Sequence, residues 1–141
     1  MFLGEYKHTI DNKCRLTIPA KFREDLNNQC VIAKGLDGCL TVYPMDEWTQ
    51  VCEKIDAKPS SDLKVRRFKR LFYASASAED LDKQGRLSIP PALMEYAAID
   101  KDVYVVGESN TFEIWSSERW MSQQAVEEEE SFEDLAGCLG L

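Results

Sequence analysis

Hydrophobic and polar positions alternate in short bursts near the start of the chain. Tyr6 to Ile10 and Arg15 to Ile18 both read as strands, and in the second Leu16 and Ile18 alternate with Arg15 and Thr17. That period of two is the pattern of a half-buried strand. Asp11 to Cys14 makes the turn between them. Pro19 ends the strand and opens a short helix, Ala20 to Leu26, with Phe22 and Leu26 on one face. Val31-Ile32-Ala33 and Leu40-Thr41-Val42-Tyr43 predict two further strands joined through Leu36-Asp37-Gly38. Asp46 is positioned to cap a helix in which Trp48, Val51, Cys52 and Ile55 form an apolar stripe.

The succession then returns. Ala74 to Ala78 is extended and rich in small residues, Arg86 to Ile89 is a strand, and Pro91 to Ala98 a short helix. Val103 to Val106 and Thr111 to Trp115 are strands, and Ser116 or Ser117 can cap a helix carrying Trp120 and Met121. Asp11-Asn12-Lys13-Cys14-Arg15-Leu16-Thr17-Ile18-Pro19 reappears as Asp82-Lys83-Gln84-Gly85-Arg86-Leu87-Ser88-Ile89-Pro90, 71 residues later. Val31 to Gly35 matches Val103 to Gly107, and Trp48 matches Trp120, at an offset of 72. An ordered series at a near-constant offset points to duplication. The organisation expected is a first repeat over 1–57, a linker and basic helix over 58–73, a second repeat over 74–126 and an acidic tail over 127–141. In the helix between the repeats, Leu63, Phe68, Leu71 and Phe72 are expected to face inward and the basic residues outward. The run from Glu127 reads as a frayed helix end followed by a disordered tail.

Composition narrows the classes. The chain has 141 residues, 44% hydrophobic and 30% charged, which suits a globular protein. No apolar run approaches the ~20 residues of a membrane helix, and Met1 to Lys7 lacks the layout of a secretory signal, so a cytoplasmic location is the default. Five scattered cysteines and one histidine offer no clustered ligand set, so neither a metal nor another cofactor is expected, and the thiols read as free. A net charge of −8 by itself disfavours nucleic acid, but six acids between Glu127 and Asp134 carry most of it and leave only −2 on residues 1–126. Within that body Lys64, Arg66, Arg67, Lys69 and Arg70 fall in seven residues without an acid. A local basic surface can bind a polyanion on an acidic protein.

The repeated motif has its own chemistry. An aspartate at a turn accepts backbone N–H bonds, Gly85 suits a position of positive φ, and the following arginine is close enough to pair with the aspartate and be held stiff. Leu and Ile anchor the strand from below. Either the pair only locks a hairpin, or it presents a guanidinium to a ligand. No nucleophile with its base and no glycine-rich phosphate loop is present, so an enzyme with a small-molecule substrate is not expected. Cys14 stands where the second copy has Gly85. If positive φ is required there, the cysteine costs on the order of 1 kcal/mol.

The two D-x-x-x-R motifs, their R-L-x-I-P continuation and the start Met1-Phe2-x-Gly4-Glu5-Tyr6 resemble the MraZ family of bacterial transcriptional regulators, linked to the division and cell-wall gene cluster. The resemblance covers residues 1–125. It implies an α+β, β-rich swapped-hairpin unit similar to the AbrB fold (double-psi-barrel-like), with short peripheral helices and an internal pseudo-two-fold repeat. It also implies a ring-shaped homo-oligomer, and DNA-binding residues in the paired motifs: Asp11, Arg15, Asp82 and Arg86. Lys13 and Lys83 join them on charge, and the hydroxyls of Thr17 and Ser88 could reach phosphates or bases. The expected partner is double-stranded promoter DNA carrying tandem, G-containing repeats, with the protein at the nucleoid. Lys64, Arg66, Arg67, Lys69 and Arg70 either touch DNA backbone or form an exposed or oligomer-facing helix surface. The tail either competes with DNA or is a solvated spacer. A protein-interaction module of the antitoxin type is the alternative.

Overall fold

The computed structural model describes residues 1–127 and 129–141. The first half runs through β1 (Glu5–Thr9), β2 (Arg15–Thr17), α1 (Ala20–Leu26), β3 (Gln29–Lys34), β4 (Leu40–Pro44) and α2 (Met45–Asp56). A connecting helix, α3 (Leu63–Ser75), follows. The second half repeats the order as β5 (Ser77–Asp80), β6 (Arg86–Ser88), α4 (Pro91–Tyr96), β7 (Asp102–Glu108), β8 (Thr111–Ser116) and α5 (Ser117–Glu127), and α6 (Phe132–Cys138) ends the chain.

The two halves are built through each other. The main antiparallel sheet has the order β1-β7-β8-β4-β3-β5. The first strand of the first half pairs with the second half (Glu5 opposite Val106, Thr9 opposite Asp102). Conversely, the first strand of the second half pairs with the first (Gln29 opposite Asp80, Ile32 opposite Ser77). The N–H of Ile10 reaches the Lys101 carbonyl at 2.8 Å, and that of Leu81 reaches Asn28 at 2.9 Å, closing both exchanges alike. A separate ribbon joins β2 to β6, with Leu16 opposite Leu87 at its centre. Both leucines are fully buried, as are Ile18 and Ile89 on the flanking turns.

Phe2 fixes the N-terminus in this core. Its ring packs edge-on against Phe22 and Phe112, each at 5.1 Å. Its backbone exchanges two hydrogen bonds with Ser109 at 2.7 and 2.9 Å. The crossing is tight: a Cβ on Gly107 would lie 2.5 Å from the backbone of Phe2 and Leu3, a contact only glycine avoids.

Three expectations change. Asp46 is not a cap: Pro44 precedes α2, and Asp46 lies in its first turn without a capping bond, where its charge still suits the helix dipole. In α3 only Phe72 is buried, while Leu63, Phe68 and Leu71 are exposed. The face turned to the body runs instead through Val65, Lys69, Phe72 and Tyr73, because Phe72 stacks on Trp48 of α2 at 5.4 Å and Lys69 lays its stem inward to reach Asp56 at 3.7 Å. The tail contains a helix where disorder is expected, because Ser131 caps α6 by accepting the Asp134 N–H at 3.0 Å. Glu128, in the acidic run, lies outside the described residues. Of the two candidate caps for α5, Ser116 serves, its Oγ accepting the Arg119 N–H at 3.2 Å.

Candidate nucleic-acid interface

Each motif folds into the same small clamp. In the first, the Asp11 carboxylate accepts the N–H groups of Lys13 and Arg15 on one oxygen, both at 2.9 Å, and the Arg15 Nε on the other at 2.8 Å. In the second, Asp82 accepts Gln84 and Arg86 N–H at 2.9 Å each and the Arg86 Nε at 2.6 Å. One aspartate therefore shapes the turn and aims the arginine at once. Each carboxylate is held below the usual range. At Asp11 partial desolvation pushes upward, but the bonds from Arg15 and Lys13 outweigh it. At Asp82 the backbone bond from Arg86 is the largest influence, followed by desolvation in opposition and then the guanidinium.

The fourth residue of each turn needs positive φ. Gly85 adopts +74° and Cys14 +58°, so Cys14 carries the strain that glycine avoids. The turns also brace one another: the Ile18 N–H bonds the Gly85 carbonyl at 3.0 Å and the Ile89 N–H bonds the Cys14 carbonyl at 2.9 Å. Arg23 of α1 was missed in the sequence. Its Nε holds the Ile18 carbonyl at 2.8 Å, and its guanidinium lies over Gly85, where a Cβ would meet it at 2.4 Å. Met94 stands at the corresponding position of the second copy and offers no charge there. A glycine–cysteine exchange paired with an arginine–methionine exchange, both 71 residues apart, was the available signal.

The ribbon brings the two clamps together. Arg15 lies opposite Ser88, and Thr17 opposite Arg86. The four side chains share the outward face, with Leu16 and Leu87 pointing the other way. Arg15 and Arg86 are thus diagonal neighbours, roughly 7–8 Å apart at the backbone. Their side chains are 25% and 27% exposed, enough to open an edge to solvent while the rest is held. Only Nε is bonded to the aspartate, and the Nη groups make no hydrogen bond to the described residues. Lys13 and Lys83 are exposed on the two turns.

The basic helix lies elsewhere. It packs on β3, whereas the ribbon contacts β1 and β5. Arg66 holds the carbonyls of Ser60 and Ser61, both at 3.0 Å, and Lys69 reaches Asp56, while Lys64, Arg67 and Arg70 are exposed. The cysteines are all free. Burial, with Glu79 and Asp80 nearby, pushes the Cys30 thiol up to about 12, and burial beside Glu113 raises Cys39 too. No group of three potential metal ligands occurs among the described residues.

The fold and clamps define a class: a duplicated chain whose halves exchange strands and set two stiffened arginines on one shared ribbon. The sequence comparisons agree with that class. The family model of the MraZ protein, described as antitoxin-like, matches twice, over residues 1–71 and 72–137. The transcriptional regulator MraZ of Natranaerobius thermophilus is 48% identical over 136 residues, covering 96% of this chain and 94% of the relative. That of Halothermothrix orenii is 45% identical over 139 residues, covering 99% and 96%. That of Ligilactobacillus salivarius is 48% identical over 136 residues, covering 96% and 94%. The chain belongs to the MraZ family, whose named relatives are transcriptional regulators.

Proposed function

We propose that this chain is a sequence-specific DNA-binding regulator of transcription, acting in the cytoplasm at the nucleoid on the promoter of the division and cell-wall gene cluster. The observation that carries this reading is the pair of guanidiniums with free Nη groups on one outward face. A guanidinium edge matches O6 and N7 of guanine in the major groove, and each such bidentate pair discriminates by ~1–3 kcal/mol. If Asp11 and Asp82 only locked their hairpins, no common face would be needed. Lys13, Lys83, Thr17 and Ser88 add phosphate or base contacts that set position.

The exchanged strands favour an AbrB-like swapped-hairpin unit. One such unit touches few base pairs, so a ring-shaped homo-oligomer placing several units on successive repeats would multiply weak contacts through effective concentration. Tandem, G-containing targets follow. Footprinting across the DNA upstream of the protein's own gene tests the proposal: protection should fall in evenly spaced, G-containing blocks. Uniform or absent protection would refute it. An antitoxin-type interaction module is the second reading, favoured by the antitoxin-like description of the matching family and by the exposed Phe132 and Leu135 of α6. Co-purification of one defined protein that blocks DNA binding would support it.

A further inference from the structure

A groove of about 730 Å³ opens between α2, α3 and the turn after β3. Phe68 and Leu71 of α3 rim it at 45% and 62% exposure, and Val51 and Ile55 of α2 line it. At one end it continues past Lys54 toward Lys58 and Lys64. The rest of its lining holds three acids, Asp37, Glu108 and Glu113, and one cation, Lys34. Contiguous apolar surface of this kind marks an interaction site.

The C-terminal helix carries the complementary features. Phe132 and Leu135 of α6 and Leu139, the residue that caps its C-terminal end, recur at intervals of three and four, the spacing of one helix face, and are 82%, 43% and 77% exposed. Glu129, Glu130, Glu133 and Asp134 cluster at its N-terminal end. Apolar anchors at such spacing, lying in an apolar groove, are a recurrent mode of helix recognition.

We propose that α6 of one chain docks in the α2–α3 groove of a second copy. Phe132, Leu135 and Leu139 enter the apolar floor, and the acidic end lies against Lys54, Lys58 and Lys64. The direction follows from charge, since the opposite orientation would take those acids from the three lysines to a lining with three acids and one cation. A second copy is the occupant because the chain carries both complementary surfaces, acids beside apolar residues on α6 and lysines beside an apolar groove, and α6 does not line the groove of its own chain. A contact between unlike surfaces is head-to-tail, and it closes into a ring when the rotation permits. The docking deepens the self-assembly proposed above and rests on it.

Engineered and native cysteines test the contact. Cys138 is exposed on α6, and Leu71→Cys places a thiol on the groove rim. Mild oxidation of the full-length Leu71→Cys protein should give a ladder of interchain disulfides on a non-reducing gel, and adding Cys138→Ser should remove it. By light scattering, Phe68→Glu with Leu71→Glu, and separately Phe132→Glu with Leu135→Glu, should reduce the mass of the wild-type assembly. A Cys138-dependent bond within one chain overturns the docking. So does an assembly of unchanged mass in both glutamate pairs, though self-assembly then stands. A wild-type protein that is monomeric at every concentration overturns self-assembly itself.

Discussion

At the scale of single residues, the two clamps are alike in bonding and unlike in strain. Gly85 is restricted twice, by its positive φ and by Arg23 above it. Gly85→Ala should therefore destabilise the protein by about 1–2 kcal/mol from the backbone alone, and more if Arg23 cannot move. Cys14→Ala keeps the same strained backbone type and should cost less; paired urea titrations would show the difference. The aspartates set a pH dependence whose sign is fixed. Both carboxyls are held below their ordinary value, so their contribution is complete above an unfolded pKa of ~3.9 and is lost only as pH falls through the lower folded value. The clamps should thus persist from about pH 8 to 5. Carboxyl NMR titration checks this, and a midpoint above the ordinary aspartate value for either group would contradict it. Among the thiols, exposed Cys138 should alkylate quickly, while Cys30 and Cys39 should wait for unfolding, as peptide mapping would reveal.

At the scale of elements, the ribbon couples the two motifs. Leu16 and Leu87 face each other fully buried at its centre. Leu16→Ala should cost about 2–5 kcal/mol, and it should loosen the Asp82 turn as well as its own, because Ile18 binds the Gly85 carbonyl. Hydrogen exchange at the Arg86 N–H would report that transfer. Much of this level was legible in the chain. Period-two alternation gave the strands, Pro19 the start of α1, and the 71-residue offset the duplication. The inward face of α3 was not legible, because a lysine stem replaced an apolar residue on it and left Leu63, Phe68 and Leu71 outside. The strand exchange was legible only through the family resemblance, since alternation does not say which strands will pair. Likewise Arg23 lies outside the motif, and its tertiary contact with Gly85 has no local pattern.

At the scale of the whole molecule, charge is segregated. Six acids of the tail lie at one end of the sequence, the five cations of α3 on the helix layer, and the clamp cations on the ribbon. Charge reversal of Arg66 and Arg67 separates assembly from DNA contact. Changed oligomer mass with an unaltered salt slope is expected if α3 serves assembly, and a shallower slope if it touches DNA backbone. The most direct measurement of the central claim is a gel-shift salt series on the upstream DNA, comparing wild type with Arg15→Ala/Arg86→Ala. Each aspartate keeps two backbone N–H bonds without its arginine, so the double variant should fold. Promoter affinity should fall at least ~30-fold, given ~1 kcal/mol or more per contact, to the level of scrambled DNA. A folded double variant that binds the promoter as tightly as wild type would contradict the account.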